Sequence, residues 1–253
     1  MQLWNVSQTA PQRVLRTDVG PCRSINFVPG MSKAVLAFLD GTVALYDASR
    51  WSFLWKTEGG HTETVFDCAF STADADILAT CSHDGTVRLW DVRTLKCVKI
   101  LTGACSALYS LCWSPDGALL AASDALGRVH LYDSHRGLLT RSCQLHKPGY
   151  ISCRVVWNPG AFGNRLASVS DDCTASVFSC DGVPLLTLTH PDAAKGAAWS
   201  PHMPGMLATG CGDGRIYLWD VDLPEASRLK KRLSGHTCAE PNCPKHECRV
   251  TCA

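Results

Sequence analysis

Charge is scarce in this chain. Asp, Glu, Lys and Arg make up 19% of its 253 residues, below the usual quarter. The 24 basic and 23 acidic side chains leave a net charge of +1. Phosphate binding needs a concentrated basic patch, so nothing in the balance marks a nucleic-acid partner. Long apolar runs are missing too: no stretch approaches the roughly 18 apolar residues of a membrane span. Residues 1–10 lack the charged segment and apolar run of a secretory signal. The expected setting is therefore cytoplasmic or nuclear, with no membrane partner. There the 15 cysteines are expected to stay reduced, and an odd count would in any case leave one over. Most lie in apolar runs, as Cys68, Cys81, Cys112, Cys153 and Cys211 do, where Cys acts as a small hydrophobe. Also lacking are a Gly-rich phosphate loop, an HExxH motif and any carboxylate pair spaced for acid–base work.

What the chain has is a repeat. DGTVALYD (40–47), DGTVRLWD (84–91), LGRVHLYD (126–133), DCTASVFS (172–179) and DGRIYLWD (213–220) end alike, and LWN (3–5) is a sixth ending. Their aromatic anchors Trp4, Tyr46, Trp90, Tyr132, Phe178 and Trp219 stand 42, 44, 42, 46 and 41 residues apart, the period of a propeller blade. Each unit carries four strand signals. In the clearest, TVFDCAF (64–70) reads as an inner strand, ILATCS (77–82) as the second, TVRLWD (86–91) as the third and CVKIL (97–101) as the outer one. Asp84-Gly85 supplies the positive φ that a tight hairpin turn requires. Pro115, Pro159 and Pro201 follow inner strands, where proline removes no ladder bond. The expected fold is all-β: a β-propeller with five complete four-stranded blades, at about 24–57, 64–102, 107–145, 151–189 and 194–233, and a partial blade at 3–16. One domain is expected over 1–235, with a disordered Cys-rich tail over 236–253.

The units resemble the WD40 repeat. Gly60-His61 opens one, Trp90-Asp91 closes it, and Asp84 precedes Trp90 by six positions. The same Asp-to-aromatic spacing recurs as Asp40/Tyr46, Asp172/Phe178 and Asp213/Trp219. The resemblance implies a buried hydrogen-bonded network of loop His, strand Ser or Thr, turn Asp and Trp. Here it would join His61, Thr80 or Ser82, Asp84 and Trp90, and in the fifth unit Thr209, Asp213 and Trp219, with His190 from the preceding loop. A buried carboxylate must be fully hydrogen-bonded or it is costly, so this network is expected to be structural, not catalytic. It is uneven: Leu126 stands where the third unit's turn Asp would be, and Phe178 cannot donate a hydrogen bond. The second and fifth blades are expected to be the most rigid. A narrower likeness, to the first propeller of one large animal WD-repeat protein, rests on LWNVSQ, DGTVALYD, HTETVFDCAF and ATGCGDG. Because such propellers usually close with seven blades, the resemblance also implies an incomplete ring. Either the chain is a piece of a longer parent, or a second chain or an unusual closure completes it.

The resemblance further implies a non-catalytic scaffold that binds other proteins and needs no cofactor. The expected surface is the rim of loops around 61–63, 105–107, 147–150 and 191–195, with His146 and Tyr150 as contacts. Trp90-Asp91-Val92-Arg93 matches a short signature of substrate receptors of cullin-type ubiquitin ligases, with Arg93 as the contact. Against this, the next unit has His135 in place of Arg. A propeller enzyme would need ionisable side chains converging in the channel, and inner strands rich in Ala, Val, Leu, Cys and Trp argue against it. Cys238, Cys243, Cys248 and Cys252 offer soft ligands of the kind zinc takes, but their spacing lacks paired knuckles, so no metal site is expected. The run Arg228-Leu229-Lys230-Lys231-Arg232 reads as a solvated edge strand, where Lys blocks further pairing.

Overall fold

A computed structural model describes residues 2–4, 11–14, 19–28, 32–50, 52–57, 59–159 and 164–234. Strands β1 (Gln2–Trp4) and β2 (Pro11–Val14) pair antiparallel as a two-stranded sheet, where a partial blade was expected. Five four-stranded antiparallel sheets follow. Blade one is β3 (Cys22–Phe27), β4 (Lys33–Phe38), β5 (Val43–Asp47) and β6 (Ser52–Lys56). Blade two is β7 (Val65–Phe70), β8 (Ile77–Ser82), β9 (Val87–Asp91) and β10 (Lys96–Leu101). Blade three is β11 (Leu108–Trp113), β12 (Leu119–Asp124), β13 (Arg128–Asp133) and β14 (Leu138–Gln144). Blade four is β15 (Ser152–Trp157), β16 (Arg165–Ser170), β17 (Thr174–Ser179) and β18 (Pro184–Thr189). Blade five is β19 (Ala194–Trp199), β20 (Met206–Cys211), β21 (Arg215–Asp220) and β22 (Leu229–Ser234), with the one-turn helix α1 (Glu225–Arg228) leading into β22. The whole tail at 236–253, with its four cysteines, lies outside the described residues.

Local chemistry sets the turns. Gly85 takes φ +77° in the turn between β8 and β9, and a Cβ there would sit 3.3 Å from the Ser106 carbonyl oxygen of the next loop. In blade four the same turn position is occupied by Cys173, which still adopts φ +69°. An L-residue is disfavoured there by about 1–2 kcal/mol, so the fold imposes this turn even where the sequence does not favour it.

The core is a series of bands between sheets. Blades two, three and four each present one face to the sheet before and the other to the sheet after. Val35, Val43 and Leu45 of blade one pack on Cys68, Phe70, Leu78 and Trp90 of blade two. Ala79, Val87 and Leu89 then pack on Leu111, Trp113, Leu120 and Tyr132. Ala121, Val129 and Leu131 meet Val155, Trp157, Leu166 and Phe178, and Ala167 and Val177 meet Trp199, Leu207 and Trp219. Full burial of one such aliphatic side chain contributes about 1.5–3 kcal/mol, so each interface is a substantial part of the stability. Inner strands contact one another in chain order, β3, β7, β11, β15, β19. At the two ends of this array the pattern opens. Ile25 and Phe27 are 42% and 52% exposed, whereas Cys68 and Phe70 at the same positions of β7 are buried. Ile216 and Leu218 are half-buried, whereas Val87 and Leu89 at those positions of β9 are fully buried.

Candidate functional site

Two sets of polar residues stand out, one buried within blades and one at the ends of the inner strands. In blade two, Trp90 Nε1 donates to Thr80 Oγ1 at 2.9 Å, Thr80 Oγ1 lies 2.8 Å from His61 Nε2, and His61 Nδ1 lies 2.8 Å from Asp84 Oδ2. Read as one direction of donation, the indole N–H gives to Thr80, its hydroxyl to His61, and the Nδ1–H of a neutral His61 to Asp84; this tautomer is assigned from the network. Asp84 also accepts from Thr62 N, Thr86 N and Thr86 Oγ1. Burial alone would raise its pKa, but hydrogen bonds from His61 and Thr86 outweigh burial and hold the carboxyl well below the usual carboxylate range. Ser82 bonds the Glu63 carbonyl and accepts the Asp84 N–H, closing the turn rather than joining the chain from Trp90.

The other blades vary this network. In blade five, Trp219 Nε1 donates to Thr209 Oγ1 at 2.8 Å and His190 Nε2 meets the same oxygen at 2.7 Å. Asp213, however, is reached by the Tyr217 hydroxyl at 2.7 Å, and the buried His190 Nδ1 has no hydrogen-bond partner. In blade four, His146 lies 2.9 Å from both Ser168 Oγ and Thr174 Oγ1, and Asp172 is 3.4 Å from its Nδ1. His146 therefore belongs to a buried network, and its ring offers no surface for the rim contact the sequence suggested. Blade three replaces the absent turn Asp by relocation. Asp124, the last residue of β12, accepts from Ser106 Oγ, Leu126 N and Arg128 N and meets His130 Nε2 at 3.1 Å. His130 Nδ1 lies 2.8 Å from Ser142 Oγ. In blade one, Asp40 stays exposed and accepts from Thr42 N.

The second set comes from a shared irregularity. In all five inner strands the register slips at the second residue. Such a bulge leaves one residue unpaired and re-aims its side chain. The bulged residues are Arg23, Phe66, Tyr109, Cys153 and Lys195, all half-buried. The Arg23 guanidinium lies 4.9 Å from the Phe66 ring centroid. The Phe66 ring is 4.5 Å from that of Tyr109 and 6.2 Å from His83 in the adjacent turn. Cys153 donates to Asp171 Oδ1 at 3.1 Å, and Lys195 is ion-paired with the same oxygen. Burial works against the Lys195 ammonium, but Asp171 outweighs it and holds the pKa above the usual lysine value.

One residue further along each inner strand stand Ser24, Asp67, Ser110, Arg154 and Gly196. The buried Asp67 accepts from Ser24 Oγ at 3.2 Å, Cys68 N at 3.0 Å, Ser110 Oγ at 3.1 Å and Leu111 N at 3.3 Å. The Arg154 guanidinium, half in solvent, is 3.9 Å away. One carboxylate thus ties together the inner strands of four blades. Burial pushes the neighbouring Cys68 and Cys112 thiols up to about 12, so neither is a nucleophile near neutral pH. The reading of the inner strands as rich in Ala, Val, Leu, Cys and Trp did not anticipate this layer, because single polar residues in apolar strands gain meaning only when the strands are brought together.

Elsewhere, Tyr150 is 47% exposed in the loop before β15. The Arg93 side chain is 71% exposed and pairs with Asp76 Oδ2 at 3.2 Å. No disulfide joins the eleven cysteines among the described residues. Among the same residues, no group of three or more His, Cys, Asp or Glu could hold a metal ion, and no helix is long and apolar enough to cross a membrane. Cys238, Cys243, Cys248 and Cys252 lie outside the described residues.

Comparison with known proteins agrees with the repeat. The family model described as WD domain, G-beta repeat matches residues 53–91, 95–133 and 182–220. Coronin-7 of Rattus norvegicus is 30% identical over 203 residues, covering 76% of this chain and 22% of that protein. Human coronin-7 is 31% identical over 206 residues, with the same coverage. The DENN domain and WD repeat-containing protein SCD1 of Arabidopsis thaliana is 32% identical over 148 residues, covering 56% of this chain and 12% of that protein. The chain thus spans about a fifth or less of the length of these relatives.

Proposed function

We propose, from the premise that this chain is a WD40-repeat protein, that it is a non-catalytic scaffold binding other proteins in the cytoplasm or nucleus. The observation that carries the reading is the row of five half-buried bulge residues, with the Phe66–Tyr109 pair at its middle. Aromatic and Arg side chains at a surface are the typical anchors of protein interfaces. Tyr150 extends the same rim. Residues 1–235 act in this reading as one domain, and further β-structure of a longer parent or second chain meets the exposed Ile25 and Phe27. No cofactor takes part. The test is affinity purification of the tagged chain from cells beside a Phe66→Ala/Tyr109→Ala variant of unchanged thermal stability. Loss of stable partners from the variant is the expected result, and an unchanged partner set would remove the reading. A second reading, a substrate receptor of a cullin-type ligase, draws on the exposure of Arg93. It requires an adaptor that co-purifies with the chain and is lost in Arg93→Ala; no adaptor association would end it.

A further inference from the structure

We propose that the bulged ends of the inner strands bind an acidic peptide segment, with an aromatic or aliphatic side chain seated on Phe66 and Tyr109 and flanking carboxylates held by Arg23 and Arg154. This names the partner chemistry of the rim and rests on the scaffold reading. The argument is a comparison of donors with acceptors. The acceptors here are already engaged: Asp67 takes four hydrogen bonds, and Asp171 is ion-paired with Lys195 and accepts from Cys153. The donors are not. The Arg154 side chain is 50% exposed, and its nearest carboxylate is the already satisfied Asp67 at 3.9 Å. Arg23 lies over the Phe66 ring, which leaves the edge of its planar fork of N–H groups able to reach a carboxylate. Tyr109 is half-buried, and burial together with the neighbouring Cys153 and Asp171 raises its pKa, so it stays a neutral donor.

The sequence places these groups side by side. Arg23 precedes Ser24, Phe66 precedes Asp67, and Tyr109 precedes Ser110, while Ser24 and Ser110 both bond Asp67 and Arg154 approaches it. An incoming cation would meet Arg23, and the two carboxylates named here already face cations of the chain, Asp67 facing Arg154 and Asp171 facing Lys195, so basic segments are disfavoured by like-charge contact. An apolar segment without acids would leave the two guanidinium groups without a new partner.

The test is fluorescence anisotropy of the whole chain with a fluorescein-labelled peptide GEEFEEG, and with GKKFKKG, GEEAEEG and GQQFQQG as comparators. GEEFEEG is expected to bind most tightly, and GKKFKKG about tenfold or more weaker, the scale of one lost charge-assisted contact. Arg23→Gln/Arg154→Gln should weaken GEEFEEG about tenfold while leaving GQQFQQG unchanged, and added salt should weaken GEEFEEG selectively. Tyr109→Phe, which removes one hydroxyl without disturbing the ring pair, should give a smaller loss for the same peptide. Binding of GKKFKKG as tight as that of GEEFEEG, or undiminished GEEFEEG binding by the double variant at unchanged thermal stability, would overturn the proposal. If cellular partners depend on Phe66 and Tyr109 but GEEFEEG does not bind, the acidic-peptide proposal falls and the scaffold reading stands. If those partners do not depend on the pair, the scaffold reading itself falls.

Discussion

Thr80→Val tests the blade-two network where it is most concentrated. Thr80 is fully buried, and its hydroxyl is shared by the Trp90 indole and His61 Nε2. Valine keeps the shape of the side chain and its burial, so no large cavity forms. What changes is that two buried polar atoms lose their common partner. Each buried polar group left unsatisfied costs about 1–3 kcal/mol, so the expected loss is about 2–4 kcal/mol after the small gain from the added methyl. The contribution should be coupled: in a Trp90→Phe background the indole N–H is already gone, so Thr80→Val should cost about 1–2 kcal/mol less. Urea unfolding of the four proteins measures this, provided the slope of each transition is the same. A loss below about 0.5 kcal/mol, within the range of ordinary surface changes, or full additivity of the two substitutions, would refute the network account. Ser123 supplies an internal contrast. It is fully buried, yet its hydroxyl has no hydrogen-bond partner, so Ser123→Ala should be neutral or stabilising in the same assay.

Cys173→Gly should raise stability by about 1 kcal/mol by releasing the φ +69° strain; a destabilised variant would show that the Cys173 side chain contributes more than its backbone costs. Burial lowers the pKa of His146 and of His190 in the folded chain. The unfolded chain therefore takes up these protons first, and stability should fall as pH drops below about 6.5, the unfolded histidine value. Unfolding free energy measured from pH 8 to 5 should show this slope, and His146→Asn should flatten it; an unchanged slope in the variant would assign the proton uptake elsewhere. Asp67→Asn should destabilise by about 1–3 kcal/mol, because an amide cannot accept all the donors that converge on this carboxylate; calorimetry showing no change would mean that four blades do not depend on it.

The repeat was legible because it rests on local chemistry. Alternation over a few residues, an Asp-Gly turn and an aromatic anchor recur at a fixed period, and each blade formed where that pattern stood. The blade-two network was legible for the same reason, since His61, Thr80, Asp84 and Trp90 occupy fixed offsets within one unit. His146 was hidden by a longer loop: it precedes Asp172 by 26 residues, whereas His61 precedes Asp84 by 23. The bulges were not legible, because a register slip involves two strands and leaves no mark in the alternation of one. A signal was nonetheless present. Asp67, Ser110 and Arg154 are polar residues at one shared position of otherwise apolar inner strands, and each follows a bulged residue.

Blade three shows why residue type alone does not assign chemistry here. Ser142, His130 and Asp124 are linked in the atom order of a hydrolase relay, and Ser142 is exposed. Where the bonds end decides the matter. Asp124 also accepts from Leu126 N and Arg128 N, the backbone of the turn between β12 and β13. In blade two Asp84 does the equivalent work by accepting from Thr62 N and Thr86 N. The carboxylate of blade three has therefore moved two residues back from the usual turn position, and its histidine has moved from the preceding loop onto β13, while the task of tying strand to turn is unchanged. The serine completes the histidine's second nitrogen on the outer strand, far along the blade from the inner-strand ends. A relay whose carboxylate holds a turn closed is accounted for by folding. The bulge row differs in kind: Arg23 contacts Phe66, Phe66 contacts Tyr109, and all three are only half-buried, so their contacts within the fold do not cover them.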